Sequence, residues 1–246
     1  MKNSKASAER YSRQLVLKEI GAKGQLKLSK ACVAVVGCGA LGTNTADSLV
    51  RAGVGRVILL DRDLVEYSNL QRQSVFSEED AGQPKAWAVE QRLEKVNSDV
   101  KIDSVIDDLN SSNMQVHLKE ADLVLDCTDN METRKALNEY CLKARKPWIY
   151  AAVVQTYGYV MPVLPGKTAC LKCLLKKNPR TCDLPACGTH GVLNTAAKLV
   201  SAIQATQALK FIVTGEFDEG LFYSDAWNNK SDRLTVARNE ECEACG

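Results

Sequence analysis

The sequence predicts an α/β fold: a doubly wound, Rossmann-like, mainly parallel sheet, extended by antiparallel C-terminal strands with a four-cysteine zinc site. Three observations predict it. Residues 31–63 read as strand, glycine turn, helix, strand and acid. Apolar, β-branched runs then alternate with helical patterns as far as Val153, the order that βα crossovers impose on a parallel sheet. From Tyr157 the texture changes to strands, a polar stretch and one long helix, with a CxxC pair near each end, Cys170/Cys173 and Cys242/Cys245.

In chain order, residues 7–20 have a helical pattern in which Leu15, Val16 and Ile20 can pack, while Arg10 and Arg13, three apart, share a face. Gly21 and Gly24 break that pattern, and residues 25–29 suit a short second helix. Cys32–Val36 is the first buried strand, Gly37-x-Gly39-x-x-Gly42 the turn, and Ala46, Leu49, Val50 and Val54 the apolar face of the next helix. The glycines let the backbone turn sharply and approach a phosphate at the helix N-terminus. Arg56–Leu60 is the second strand, and Asp61 follows where a carboxylate can accept hydrogen bonds from ribose hydroxyls. Against a merely structural tight turn, this unit predicts nucleotide binding, without saying which nucleotide.

A polar connection, 63–80, carries Asn69, Arg72 and Gln73. Pro84 suits the first turn of a helix running to about Val96. Lys85 then opposes the helix dipole, which implies an anion nearby. Residues 101–106 predict a strand, 111–118 a helix with His117 on its surface, and 121–126 a buried strand leading into Cys127-Thr128-Asp129-Asn130. A helix over 131–144 and a strand over 147–153 follow. Residues 157–164 predict a strand, 194–213 an amphipathic helix faced by Leu199, Ile203, Ala208, Phe211 and Ile212, and 221–225 and 233–236 the last strands. The irregular segment 176–190, with Cys182, Cys187 and His190, reads as a functional loop or lid.

A chain of 246 residues is long enough for one well-buried domain. It is expected to comprise an N-terminal helical arm (1–30), a nucleotide-binding part (31–153) and a zinc-stapled part (154–246). The net charge of +2 implies no strong field for nucleic acid or an anionic membrane, and the basic run Lys176, Lys177 and Arg180 reads as solvated loop. No apolar run approaches a membrane span and no signal peptide is visible, so a cytoplasmic location is expected. The ten cysteines are then reduced, metal-bound or reactive. Cys170, Cys173, Cys242 and Cys245 make the tetrahedral thiolate set preferred by Zn2+. One CxxC alone could be a redox pair, but two without a thioredoxin-like pattern favour one metal site.

The segments Arg10-Tyr11-Ser12-Arg13-Gln14, Gly37-Cys38-Gly39-Ala40-Leu41-Gly42, Asp61-x-Asp63, Asn69-Leu70-Gln71-Arg72-Gln73, Gly82-Gln83-Pro84-Lys85 and Asp126-Cys127-Thr128-Asp129-Asn130 occur in that order. With the paired CxxC they resemble the ThiF/MoeB/HesA family, from about Arg10 to the last residue. These are ubiquitin-activating-enzyme-like adenylyltransferases that charge the C-terminal Gly-Gly of ubiquitin-like sulfur carrier proteins (ThiS/MoaD-like). The resemblance implies ATP in place of NAD, a homodimer, an acyl-adenylate product, and a carrier bound by residues 154–246. It implies that Gly37, Gly39 and Gly42 line the nucleotide turn and that Asp61, with Asp63 beside it, holds the ribose. Asn69, Arg72 and Lys85 would contact the phosphates, Asp129 would hold Mg2+, and Arg13 would reach in from the other subunit. Taken singly, each has a plainer role: Asn69 as a turn residue, Arg72 and Lys85 as surface charges, Asp129 as a helix N-cap.

Cys182 matches the loop cysteine through which some members link covalently to the carrier. The chain then departs from the family pattern, inserting Cys187 and His190 and losing a Gly-Pro, so whether Cys182, Cys187 or neither reacts stays open; His190 reads as a loop histidine. With no fused rhodanese domain after Gly246, a separate sulfur donor, such as a cysteine desulfurase or rhodanese, is implied for thiamin, molybdopterin or tRNA-thiolation chemistry. Two rivals remain. An NAD-dependent oxidoreductase leaves Arg13, Arg72, Lys85 and the cysteines without a role. A non-catalytic, zinc-stapled scaffold for a ubiquitin-like partner leaves the ATP-site set without one.

Overall fold

The computed structural model describes residues 9–177 and 191–246; Cys182, Cys187 and His190 lie outside them. Strands β1 (Cys32–Val36), β2 (Arg56–Leu60), β3 (Lys101–Val105), β4 (Leu123–Asp126), β5 (Trp148–Val154), β6 (Tyr157–Val163), β7 (Leu221–Asp225) and β8 (Lys230–Leu234) form one sheet, ordered β3-β2-β1-β4-β5-β6-β7-β8. The first five in that order are parallel and the rest antiparallel. The change occurs at β5, where Trp148 faces Val124 of β4 in parallel register and Val163 of β6 in antiparallel register. Both the doubly wound sheet and its antiparallel extension are therefore present.

Alternation along the buried strands feeds two cores, one on each face. Val33, Val35, Leu59 and Leu125 belong to one; Ala34, Val36, Ile58 and Val124 belong to the other. The first core is covered by helices α2 (Gly21–Leu28), α3 (Ala40–Ala52), α4 (Lys85–Glu94) and α8 (Asn194–Thr214), through residues such as Leu28, Leu49, Val89 and Ala197. The second is covered by α5 (Met114–Leu118), α6 (Met131–Lys143) and α7 (Leu171–Lys177), through Met114, Leu137 and Leu174.

Several expected elements differ. Among the described residues, the helix expected over 7–20 is present as helical backbone at 9–10 and one turn, α1 (Ser12–Leu15), and Val16 beyond it is 76% exposed rather than packed. The arm is instead held by polar anchors: Asn97 Nδ2 donates to Tyr11 Oη (2.8 Å) and Gln14 Nε2 to the Ala52 carbonyl (2.9 Å). Gly21, at φ +56°, does separate the arm from the next helix, whereas Gly24 breaks nothing. α2 begins at Gly21 and runs through Gly24, where a β-carbon would stand 3.1 Å from Val213 of α8. α5 starts late, because the Asn110 and Asn113 side chains accept from nearby backbone N–H groups and hold a turn before Met114. β8 lies upstream of the expected 233–236, set by the Asp225–Lys230 hairpin pairing, and is exposed throughout. α8 has the expected span; of its expected face, Ala208 is buried and Ile203, Phe211 and Ile212 pack against the first core, Leu199 is left at the surface, and Ala196, Ala197, Val200, Ser201 and Ala205 are buried besides. Among the described residues, no helix is long and apolar enough to cross a membrane.

Candidate active site

Sheet order reverses between β1 and β4, so the connections leaving them diverge and a crevice opens beyond their C-terminal ends. That cleft measures about 520 Å³. Gly37, Gly39, Asp61, Asp63, Asn69, Arg72, Lys85 and Asp129 all line it. Gly42 lies in the first turn of α3, packed against Gly37, and Arg13 is not among the lining residues.

The two turns that form the floor meet backbone to backbone. Gly37 has φ +92°, and a β-carbon there would stand 2.8 Å from the Cys127 carbonyl oxygen. Gly39 is the N-cap of α3 and offers no capping side chain, so the first-turn N–H groups are left for a ligand. Asp61 is fixed by two backbone donors: the Cys38 N–H to Oδ2 (2.6 Å) and the Asp63 N–H to Oδ1 (2.8 Å). Burial pushes its carboxyl above the ordinary aspartate range; those donors and Lys85 pull the other way.

Lys85 is buried, and its Nζ lies 2.8 Å from Asp63 Oδ2, so the anion expected beside this helix-start cation is Asp63. It is no surface charge. Asn69 is also buried; its Oδ1 accepts the Glu66 N–H (3.2 Å) across a 3-10 turn, so it is a turn residue and a cleft residue at once. Arg72, half-buried, donates to the Ser68 carbonyl (2.8 Å) from within the same turn. The plainer role of Asp129, as a helix N-cap, falls to its neighbour: Asn130 Oδ1 accepts the Thr133 N–H (2.8 Å). The exposed Asp129 carboxylate has no hydrogen bond or ion pair among the described residues. His117, on α5, pairs with Asp107 (2.7 Å).

At the other end of the molecule the Cys170, Cys173, Cys242 and Cys245 sulfurs lie within 4.8 Å of one another, with separations of 3.8 Å (170–173), 3.8 Å (170–242) and 3.5 Å (173–245). A tetrahedron of ~2.3 Å Zn–S bonds has edges of about 3.8 Å, so the donor set and its spacing fit zinc.

Residues 11–244 match the ThiF family. The chain belongs to that family. This ThiF-family chain is 41% identical over 244 residues to the sulfur carrier protein ThiS adenylyltransferase of Bacillus subtilis, covering 96% of this chain and 71% of that protein. It is 37% identical over 253 residues to the sulfur carrier protein adenylyltransferase of Thermus thermophilus, covering 100% and 93%. Among solved structures it resembles E. coli MccB crystallised with ATP, at a TM-score of 0.83 and 27% identity, over 96% of this chain and 74% of that one.

The ThiF-family cleft also uses residues that the sequence reading passed over. Gln204 of α8 is fully buried: Nε2 donates to the Asp126 (2.9 Å) and Ile149 (3.2 Å) carbonyls, and Oε1 accepts from Thr45 (3.0 Å). It thereby ties α8 to α3, β4 and β5 beneath the cleft. Arg134 lines the cleft from α6 and is 5% exposed. Its spacing held a signal, since it falls in phase with the buried Leu137 and Cys141, at i+3 and i+7.

Proposed function

We propose that this chain adenylates the C-terminal Gly-Gly carboxylate of a ThiS- or MoaD-like sulfur carrier protein with ATP, releasing pyrophosphate, in thiamin, molybdopterin or tRNA-thiolation sulfur transfer. The observation that carries this reading is the convergence of the glycine turn, Asp61, Asn69, Arg72, Lys85 and Asp129 on one cleft in a ThiF-family fold. The carrier carboxylate is already ionised near neutral pH, so no general base is required. One of its oxygens attacks the α-phosphorus of ATP; the bond to the bridging oxygen breaks and pyrophosphate leaves with its electron pair. Such chemistry depends on positioning and charge stabilisation.

Each lining residue has a part in that scheme. The Asp61 carboxylate accepts from the ribose hydroxyls, and the α3 N–H groups meet phosphate oxygens. Arg72 and Lys85, with the Asn69 amide, take up phosphate charge, Lys85 turning from Asp63 to do so. The cleft nevertheless holds Asp61, Asp63, Glu66, Asp107, Asp108 and Asp129 against Arg62, Arg72, Lys85 and Arg134. An acidic excess repels a polyphosphate, so further cations are needed. The Asp129 carboxylate, unpartnered among the described residues, is a hard oxygen donor suited to Mg2+, which when bound neutralises phosphate charge. Arg13 is exposed on an arm anchored to its own chain and is absent from its own cleft, which supports its entering the partner's site in a homodimer.

Cys170, Cys173, Cys242 and Cys245 would hold a structural Zn2+, within a single domain whose 154–246 part receives the carrier. A separate persulfide source, a cysteine desulfurase or rhodanese, would supply the sulfur; Cys182 and Cys187 are the candidates for a covalent link. The test is carrier-dependent exchange of labelled pyrophosphate into ATP, run with each candidate carrier. Exchange with one of them is expected. No exchange with any carrier, together with thermal stabilisation by NAD and not by ATP with Mg2+, would overturn the reading.

A further inference from the structure

Beneath the Thr128–Asp129 peptide lies a buried ion pair that the proposed chemistry does not use. Asp126 is fully buried at the end of β4, and its Oδ1 accepts both the N–H (2.9 Å) and the hydroxyl (2.7 Å) of Thr128. Arg134 approaches from α6, and its Nη2 donates to the carbonyl oxygen of the same Thr128. Its guanidinium carbon lies 5.3 Å from the centre of the Tyr150 ring, and its Nε stands 3.5 Å from Asp126 Oδ2. Those last two atoms, Nε and Oδ2, are buried without a hydrogen-bond partner.

Thr128 is thus gripped at its N–H, its hydroxyl and its carbonyl by one pair of opposite charges. The Thr128 carbonyl belongs to the peptide bond that leads directly into Asp129. On the opposite side, Gly37 packs against the Cys127 carbonyl and the Thr128 nitrogen. The backbone before Asp129 is therefore fixed from two sides while the Asp129 side chain stays unencumbered. Burying such a pair is a poor way to gain stability, since desolvation offsets most of the attraction and an apolar pair of similar volume does as well.

We propose that Asp126 and Arg134 are positioning residues that clamp the Thr128–Asp129 peptide and so place the Asp129 carboxylate for the divalent cation that accompanies ATP. The inference rests on the reading of Asp129 as the holder of that cation. Partners that orient a metal-holding group typically cost ~10–100-fold in metal affinity or activity when altered.

Arg134→Lys tests the clamp. A lysine keeps a charge beside Asp126 but has no planar fork with which to reach the Thr128 carbonyl as well. ATP is titrated calorimetrically into wild type, Arg134→Lys and Asp129→Ala, once with Mg2+ and once with EDTA. The readout is the ratio of ATP affinity with Mg2+ to that in EDTA, which divides out differences in metal-free binding; Asp129→Ala, having lost one acid from the cleft, should bind ATP in EDTA at least as tightly as wild type. With Mg2+, wild type should tighten, Asp129→Ala should not, and Arg134→Lys should lose about tenfold of the wild-type affinity. In pyrophosphate exchange, Arg134→Lys should lose kcat and keep the KM for carrier. An intact Mg2+ effect in Arg134→Lys alongside its loss in Asp129→Ala overturns the clamp alone. An intact effect in Asp129→Ala overturns the metal-holding reading, and the clamp with it. Equal weakening of Arg134→Lys in EDTA and Mg2+ means general damage to the cleft and also overturns the clamp. If Arg134→Lys fails to fold, the double variant Asp126→Asn/Arg134→Met, which removes both charges and the donor to the Thr128 carbonyl, is read in the same titrations against the same outcomes.

Discussion

Gly42 sits so close to Gly37 that a β-carbon on it would stand 1.8 Å from the Gly37 carbonyl oxygen. That oxygen is backbone and cannot swing aside. Gly42→Ala should therefore displace the nucleotide turn, weakening ATP binding at least about tenfold and costing ~1–3 kcal/mol of stability through overpacking. At Gly39 the nearest obstacle to a β-carbon is Gln73 Nε2 at 3.8 Å. Gly39→Ala should weaken ATP binding with a stability loss of at most about 1 kcal/mol, since the new methyl meets the ligand side rather than the fold. Calorimetric ATP binding and urea unfolding of both variants check this.

Asp61 gives the site a pH dependence. Ribose hydroxyls donate to the ionised carboxylate, and burial raises its pKa despite the Asp63 and Cys38 N–H groups. As pH falls, Asp61 takes its proton above the ordinary aspartate value of ~3.9 and loses acceptor capacity. Adenosine affinity should thus rise with pH through that window in wild type and stay flat in Asp61→Asn. Adenosine is the right probe, because it lacks the titrating phosphates of ATP. Parallel profiles in the two proteins would separate Asp61 from the ribose.

Metal analysis should find one zinc per chain. Cys242→Ser, or prolonged chelation, should cost about 3 kcal/mol or more, hence roughly 6–12 °C in Tm for a chain of this size. Intact stability in protein verified to be zinc-free would remove the metal from the fold.

Arg13 can be placed by complementation. In a shared-site homodimer, Arg13→Ala and Asp129→Ala are each inactive at both sites, but a mixed dimer holds one site with both lesions and one site with neither. Random co-assembly makes about half the dimers mixed, so roughly a quarter of wild-type exchange activity should return. Mixed dimers confirmed by native mass spectrometry but devoid of activity would put Arg13 in the site of its own chain.

The nucleotide unit was readable because its signals are local. β1 and β2 fall at their expected bounds, and the glycines work against neighbours a few residues away or on the adjoining strand. Elsewhere distance decides. Gly24 looks like a helix breaker until Val213 is seen packed upon it. α8 packs Ile203, Ala208, Phe211 and Ile212 on the core as its pattern predicts, but where it nears the sheet it also buries small residues that the pattern does not single out; Val200 lies so near Gly158 that a β-carbon there would stand 2.6 Å from it. The ordered set of cleft residues was legible only through the motifs that carry the family resemblance, since each residue singly has a plainer role. Gln204 was not legible, since its partner Asp126 is 78 residues away and a lone glutamine in a long helix carries no pattern. Asp129 and Asn130 are both residue types that cap helices, and only geometry shows that Asn130 is the one that does.

The two CxxC pairs impose an order in time. Cys170 and Cys242 come within 3.8 Å although 72 residues apart. At about 5–20 residues per second, a ribosome spends roughly 4–14 s between making the first thiol pair and the second. The parallel half of the sheet is already synthesised during that interval and is free to fold without the clasp. Over the same seconds Cys170 and Cys173 are half of the proposed donor set and open to oxidation. The proposed Zn2+ can be enclosed only once Cys242 and Cys245 have been made, so resistance of that metal to a chelator would mark a molecule that has finished the sequence.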